Sequence, residues 1–291
     1  MIYQVVIWEG DIIKFGVHTS IAGGIDKAVV RAEELGCDTV QIFSSNPRGW
    51  KARELNEKEI AKFKDNLTKY NINPVVIHAP YLINLASPKE ELYQKSITAL
   101  KEQVQRANRI GAQYFVLHPG SHTGGGLKKG QQRITDALNE VLSTTELKFQ
   151  LLLENVAGAG TAVGTTIEEL AEIYDNLIDK SQVGLCFDTC HAFAGGYDLK
   201  SEEELEDLLS SIDNVFGLEN LGVIHANDCK GDLGSNKDRH HHIGHGKIGA
   251  LGFERLVNHP QLKDKAFILE TPIDEEGNDE DNLAAIRSLV K

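Results

Sequence analysis

Several features that mark specialised protein classes are missing from this chain or scarce in it. Four cysteines in 291 residues (Cys37, Cys186, Cys190 and Cys229) form no Cys-x-x-Cys pair. Neither a disulfide framework nor a four-cysteine zinc module is encoded, and the four read as buried thiols in a reducing cytoplasm. No apolar run approaches the roughly 18 residues that a membrane helix needs. The opening stretch, Met1 to Asp11, lacks a cationic start and a small-residue cleavage site, so it does not read as a secretory leader. Basic residues are few: 30 Lys and Arg against 43 Asp and Glu leave a formal charge of −13. That argues against a bulk cationic nucleic-acid binder or a membrane-surface protein, though not against a local basic face. No Gly-x-Gly-x-x-Gly follows a first strand, and Gly124–Gly126 is not followed by Gly-Lys-Ser/Thr, so neither a dinucleotide fold nor a P-loop is indicated.

What is present is a regular alternation. Short apolar runs rich in Val, Ile, Leu and Phe occur at Lys14–Val17, Thr39–Phe43, Val75–His78, Tyr114–His118, Phe149–Glu154, Val183–Asp188, Leu221–His225 and Ala266–Glu270. They do not alternate with polar residues, which is how strands buried on both faces read. Helical patterns separate them: Ile25–Leu35, Asn56–Tyr70, Lys89–Ile110, Gln131–Ser143, Thr166–Tyr174, Ser201–Ile212, Gly249–Val257 and Glu280–Val290. Thr166 with Glu169, and Ser201 with Glu204, have capping-box spacing. No Pro/Ser-rich linker or low-complexity segment divides the chain, and 41% hydrophobic residues suffice for a large core. Eight strand–helix units in order predict an α/β fold, a single (β/α)8 barrel over residues 14–291, with residues 1–13 as an extension of no evident role.

The strand ends carry the chemistry. His78, His118, Glu154, Asp188, His225 and Glu270 close six of the eight expected strands. One strand-end histidine is more often structural than a ligand; six ligand-type residues converging on the C-terminal mouth of a barrel predict a metal cluster there. Three more candidates are expected on loops: His191, three residues after Asp188, and the pair Asp238 and His240, whose spacing points both side chains to one side of an extended segment. Five imidazoles and four carboxylates exceed what one mononuclear site needs and fit two or three metals. Nitrogen and oxygen donors without thiolate suit Zn2+, Mn2+ or Fe2+. His18 reads as a partner of ligands rather than a ligand, His122, His241, His242 and His245 as neighbours, and His259, which precedes Pro260, as a residue outside any motif.

Order and context of these residues resemble the endonuclease IV family of apurinic/apyrimidinic endonucleases, from about Phe15 to Leu289. The fragments that carry the resemblance are Gly16-Val-His-Thr-Ser, His78-Ala-Pro-Tyr-Leu, His118-Pro-Gly-Ser-His, Leu153-Glu-Asn, Asp188-Thr-Cys-His, His225-Ala-Asn-Asp, Asp238-Arg-His and Glu270-Thr-Pro. The resemblance implies three zinc ions. His78, His118 and Glu154 would hold the first. Glu154, Asp188, His225 and Glu270 would hold the second, with Glu154 bridging. His191, Asp238 and His240 would hold the third.

The resemblance further implies hydrolysis of the phosphodiester 5′ to an abasic site in double-stranded DNA, with Glu154 as the catalytic carboxylate. Trimming of blocked 3′ ends would be a second activity of the same site. Clustered metals lower the pKa of a shared water and neutralise both the attacking and the leaving oxygen. Arg48, Tyr81 and Leu82 occupy the positions of loop side chains that enter the minor groove. Lys230, Lys237, Arg239 and Lys247 surround the strand-seven loop as candidate phosphate contacts. A monomer without membrane attachment is implied. Two rivals stand beside this reading: a divalent-metal sugar isomerase or epimerase, which would need fewer ligands, and a lesion-binding protein without catalysis, against which the full ligand set argues. Two acidic runs qualify the charge: Glu202–Asp207, expected on an outer helix, and Asp274–Asp281, expected near the mouth.

Overall fold

The computed structural model describes residues 13–291. All but the last residue of the expected N-terminal extension lies outside the described residues; Ile13 packs against the core. The strands are β1 (Lys14–His18), β2 (Thr39–Phe43), β3 (Val75–His78), β4 (Tyr114–Leu117), β5 (Gln150–Glu154), β6 (Val183–Asp188), β7 (Leu221–His225), β8 (Asp228–Cys229), β9 (His240–His241) and β10 (Ala266–Leu269). The helices are α1 (Ile25–Glu34), α2 (Glu57–Tyr70), α3 (Glu90–Ile110), α4 (Leu127–Thr144), α5 (Ile167–Tyr174), α6 (Thr189–Gly195), α7 (Glu202–Phe216), α8 (Gly249–Asn258) and α9 (Asp279–Ser288). Eight parallel strands close into a barrel in the order β1-β10-β7-β6-β5-β4-β3-β2. β8 and β9 form a separate antiparallel pair beyond the mouth. Among the described residues no helix is long and apolar enough to cross a membrane.

Two expected strands stop one residue short. His118 is followed by Pro119, which has no N–H to continue a ladder. Glu270 gives its N–H to the Asn227 side chain at 2.8 Å instead of to a neighbouring strand. α4 starts at Leu127, four residues ahead of the periodic signal, because Lys128 and Lys129 are exposed. α6 has no counterpart among the expected helices. Its residues Thr189–Ala194 are all buried, so it presents no polar face and no helical period.

The two expected capping boxes form by half. Thr166 and Ser201 accept from the N–H groups of Glu169 and Glu204. The two glutamates reach further back, to Gly164 and Thr165, and to Asp198. A complete box forms at Asn278 and Asp281 instead, opening α9.

The barrel interior explains how a polar site sits on a stable scaffold. Val76, Val116, Leu152, Cys186, Val223 and Ile268 form a buried apolar cluster inside it. Each lies two residues before a strand-end ligand candidate: His78, His118, Glu154, Asp188, His225 and Glu270. Side chains two apart on a strand share a face. The inward face is therefore an apolar plug below and a ring of imidazoles and carboxylates above. Two further inward positions, His18 and Gln41, complete the ring from β1 and β2. The larger apolar cluster lies between the strands and the helices outside them.

Leu152 is fully buried in the plug beneath Glu154. Leu152→Ala should lower unfolding free energy by about 2–5 kcal/mol, the usual range for a buried leucine. Urea denaturation checks this; a loss well under about 1 kcal/mol would mean that the layer is not tightly packed.

Candidate metal centre

The six strand-end candidates converge as expected, and the three loop candidates join them. Glu154 is fully buried at the centre. Its Oε2 lies 3.3 Å from His78 Nε2 and 3.0 Å from His118 Nε2. Its Oε1 lies 3.0 Å from His225 Nδ1, which is also 3.6 Å from Glu270 Oε2 and 4.0 Å from Asp188 Oδ2. His191 Nε2 is 3.4 Å from Asp238 Oδ2. His240 Nε2 is 3.4 Å from Asp238 Oδ1 and 3.7 Å from Asp188 Oδ2. His191 is not on a loop: Asp188 caps α6 by accepting from the His191 N–H at 2.7 Å, and the first turn of that helix turns the imidazole into the mouth. His240 lies in β9, not in a loop.

The tautomers test whether this set suits cations. An oxygen of a carbonyl group can only accept, so a ring nitrogen facing one carries the proton. His78 Nδ1 donates to the Ala79 carbonyl at 2.7 Å, His191 Nδ1 to the Asn155 carbonyl at 2.9 Å, and His240 Nδ1 to the Glu270 carbonyl at 2.9 Å. His225 Nε2 donates to Gln41 Oε1 at 2.8 Å. In each ring the opposite nitrogen is left with its lone pair directed at carboxylate oxygens. Two acceptors facing each other need a cation between them, a proton or a metal. His78 Nε2, Glu154 Oε2 and His240 Nε2 are buried and have no hydrogen-bond partner. An outer nitrogen tied to a protein oxygen, with the inner one free, is the arrangement of metal-binding histidines.

The same test separates His240 from its neighbours. His242 Nδ1 accepts from Asn282 Nδ2 at 2.9 Å, so its proton sits on Nε2, which donates to Asp274 at 2.9 Å. Both nitrogens are satisfied, and His242 is a structural link between the strand-seven loop and the second acidic run. Nor does Cys186, close to Glu154 and His225, serve as a thiolate: burial pushes it up to about 12, leaving a neutral thiol at neutral pH.

Without metal, protons hold the cluster together. Burial opposes the charging of His191, but Asp188, Asp238 and Glu154 outweigh it and raise the imidazole to about 10. Burial likewise opposes the His225 charge, and the carboxylates of Glu270 and Glu154 work against it, leaving the imidazole well above its ordinary value. Burial works to raise Glu154 and Glu270, but neighbouring histidines overcome it and hold both well below the usual carboxylate range.

Gln41, Asn155 and Asn227, which the sequence did not single out, and His18 position the candidate ligands. Gln41, besides holding His225, donates from Nε2 to Glu270 Oε1 at 2.6 Å, and His18 Nδ1 meets the same oxygen at 3.0 Å. Asn155 brackets the Asp188 backbone from both sides. Asn227 donates to Asp188 Oδ2 at 2.7 Å while its carbonyl receives the Glu270 N–H. His18 thus stands at the end of β1 beside the candidate ligand Glu270. A polar residue within an otherwise apolar strand run could have flagged Gln41.

Around the mouth, Tyr81 is 59% exposed, its ring 5.2 Å from His78 and 5.6 Å from both His118 and Phe43. Leu82 is half-buried, and Arg48, Lys230 and Arg239 are exposed. Arg48 sits on a loop clamped from α3: buried Arg106 donates to the carbonyls of Ser44 and Arg53 and to the Ser44 hydroxyl. Trp50 anchors that loop under the Lys95 ammonium, 4.4 Å from the ring centroid. Lys247 pairs with Asp232 on its own loop, and Lys237 is exposed. A recess of about 240 Å³ is lined by Tyr81, His118, Ala157, Ala159, His191 and Asp238, among others.

A closed (β/α)8 barrel whose mouth gathers nine ligand-type side chains defines a barrel with a candidate metal site, and comparison with known proteins agrees on the barrel. A family model described as a xylose isomerase-like TIM barrel matches residues 29–290. A probable endonuclease 4 from Halothermothrix orenii is 53% identical over 89% of this chain and 94% of its own length. One from Methanoculleus marisnigri is 48% identical over 94% and 98%. The crystal structure of endonuclease IV from Thermus thermophilus superposes with a TM-score of 0.82 at 39% identity, covering 95% of this chain and 98% of that one. The chain belongs to the endonuclease IV family. A D-tagatose 3-epimerase-like protein shares the fold alone, with a TM-score of 0.72 at 22% identity.

These proton positions fix a pH response. An imidazole raised in the folded state stabilises it fully below the unfolded value near 6.5 and loses that effect as pH climbs through the folded value. In chelator, the melting temperature should therefore fall between about pH 6.5 and pH 10. His191→Gln should flatten that decline in melts followed by circular dichroism; an unchanged slope would mean that His191 is not the group responsible.

Proposed function

We propose that this chain is a DNA-repair endonuclease that hydrolyses the phosphodiester 5′ to abasic sites in duplex DNA, leaving a 3′-hydroxyl and a 5′-deoxyribose phosphate, and that the same site trims blocked 3′ ends. The observation that carries the reading is the ring of five histidines and four carboxylates in which four rings have their outer nitrogen tied to a protein oxygen and the inner one directed at carboxylates. A sugar-epimerising barrel needs fewer ligands. The endonuclease 4 relatives support the same choice.

The donors fall into three groups that suit three Zn2+ ions, with Mn2+ or Fe2+ as substitutes: His78, His118 and Glu154; Glu154, Asp188, His225 and Glu270; and His191, Asp238 and His240. Bound there, the ions would supply concentrated positive charge and a water acidic enough to give hydroxide near neutral pH. Glu154 is the catalytic carboxylate of this reading. Its two oxygens face different histidine groups, and against its burial the neighbouring histidines keep it ionised. It can therefore hold a water between the groups, orient it and accept its proton.

Substrate recognition follows from the rim. The recess bounded by His118, Asp238 and small residues such as Ala157 and Ala159 has room for a deoxyribose, which suits a nucleotide turned out of the helix without its base. Arg48, Tyr81 and Leu82 would enter the minor groove, and Lys230 and Arg239 would meet phosphates. The chain would act as a cytoplasmic monomer.

A duplex with one tetrahydrofuran abasic analogue tests the reading. Incision 5′ to the lesion, abolished by chelator, is expected, with about three metal ions per chain by mass spectrometry. Fully metal-loaded protein that leaves the duplex intact would refute it. Glu154→Gln should reduce turnover by on the order of a hundredfold or more while leaving duplex affinity within a few-fold. Equal loss of both, at unchanged metal content, would remove Glu154 from its role. Because few cations face the mouth, the log–log slope of affinity against salt should be shallow; a slope as steep as that of a strongly basic binder would contradict the contact set.

A further inference from the structure

The segment that carries Asp238 and His240 is long, and its two strands contribute only two residues each. What holds it is Asp228, a fully buried aspartate. Asp228 Oδ1 accepts from the N–H groups of Cys229 at 2.8 Å and Ile248 at 3.0 Å. Its Oδ2 accepts from Gly244 at 3.0 Å and Gly246 at 2.9 Å. Gly249 N–H lies 3.3 and 3.2 Å from the two oxygens. The receiving turn is shaped for a carboxylate. A Cβ on Gly246 would stand 2.3 Å from Asp228 Oδ1, and Gly244 and Gly249 have φ of 83° and 67°. Successive amides pointing inward form an anion nest. Ile248 and Gly249 also open α8, which has no side-chain cap from its own N-cap residue. Asp228 serves as that cap from across the fold, at the positive end of the helix dipole.

The same residue pairs with His241 in the β8–β9 ladder, and Cys229 pairs with His240. One carboxylate thus joins the ladder, the glycine turn and the start of α8, and the ladder sets where the His240 ring stands. We infer that Asp228 is the positioning residue of the His191–Asp238–His240 group: it ligates nothing, and its amide-bound carboxylate holds the loop so that Asp238 and His240 face His191. This rests on the ligand reading proposed above.

Asp228→Asn keeps size and shape but replaces an acceptor oxygen with an amide that faces N–H groups. Zinc competition against a chromogenic chelator, on the full chain, should show that the variant keeps two zinc equivalents as tightly as the parent and holds the third at least tenfold more weakly. In chelator, amide exchange over residues 240–249 should be faster, with α6 unchanged. Three equivalents held at parental affinity, the loss of all three together, or unchanged exchange would each overturn the inference. A parent that binds fewer than three ions would overturn the ligand reading instead, while the metal-free exchange arm would still decide the anchor. Should Asp228→Asn not fold, Asp228→Glu, which keeps the charge and displaces it by one methylene, should give the same pattern in weaker form; parental behaviour there would overturn the inference equally.

Discussion

The buried carboxylate of Glu154 is the constraint around which the molecule is arranged. Moving an ion of that size from water into a protein interior costs several kcal/mol even after relaxation. Glu154 is fully buried above an apolar plug, so bulk solvent does not offset this. Compensation comes from His78, His118 and His225, each within 3.3 Å of one of its oxygens. Two of those imidazoles, His78 and His225, are in turn oriented by groups that only accept a proton, the Ala79 carbonyl and Gln41 Oε1. Each tier outward from Glu154 therefore serves to keep positive charge facing it. A cluster of this kind is poorly stable by itself and well suited to cations.

The barrel makes that arrangement tolerable because its parallel strands divide the work by register. On each of six strands one inward residue packs the plug and the inward residue two further on belongs to the site. The rigid strands supply the Glu154-centred groups directly. The His191–Asp238–His240 group depends on devices added at the mouth: a seven-residue helix capped by Asp188, and a loop whose ladder and turn meet at Asp228. The Arg48 loop is treated in the same way, pinned at both ends by Arg106. Loops fixed by buried charged groups hold side chains more accurately than loops left to solvent.

These differences explain what was legible in the sequence. Strands buried on both faces leave uninterrupted apolar runs, so all eight were readable, with one-residue errors at the ends of β1, β4 and β10 and at the start of β5. Ligand candidates at strand ends were readable because charged and imidazole side chains are rarely buried without a partner. α6 was not readable, since burial on every side erases its period. Gln41, Asn155 and Asn227 act only through other residues, and a neutral amide just past a strand, as Asn155 and Asn227 are, resembles any loop-edge polar residue. Asp228 stood within the quoted fragment His225-Ala-Asn-Asp, yet nothing local distinguishes an aspartate that binds amides from one that binds a metal. Most of its partners lie 16 to 21 residues away.

The net charge of −13, which first argued against a nucleic-acid partner, loses its force once the acids are located. The run Glu202–Asp207 lies at the start of α7, on the outside of the barrel. In the run nearer the mouth, Asp274 is bound to His242 and Asp281 closes the cap of α9. Glu154, Asp188 and Glu270 face inward among imidazoles, and half-exposed Asp238 is turned toward His191 and His240. The field that an approaching polyanion meets is set within about a Debye length, on the order of 10 Å at ordinary ionic strength. Over that distance the mouth offers imidazoles, the exposed cations of the Arg48 and Lys230 loops, and whatever cations the ring holds. An acidic outer surface and a mouth lined by imidazoles and exposed cations are compatible in one molecule because screening keeps them electrically separate.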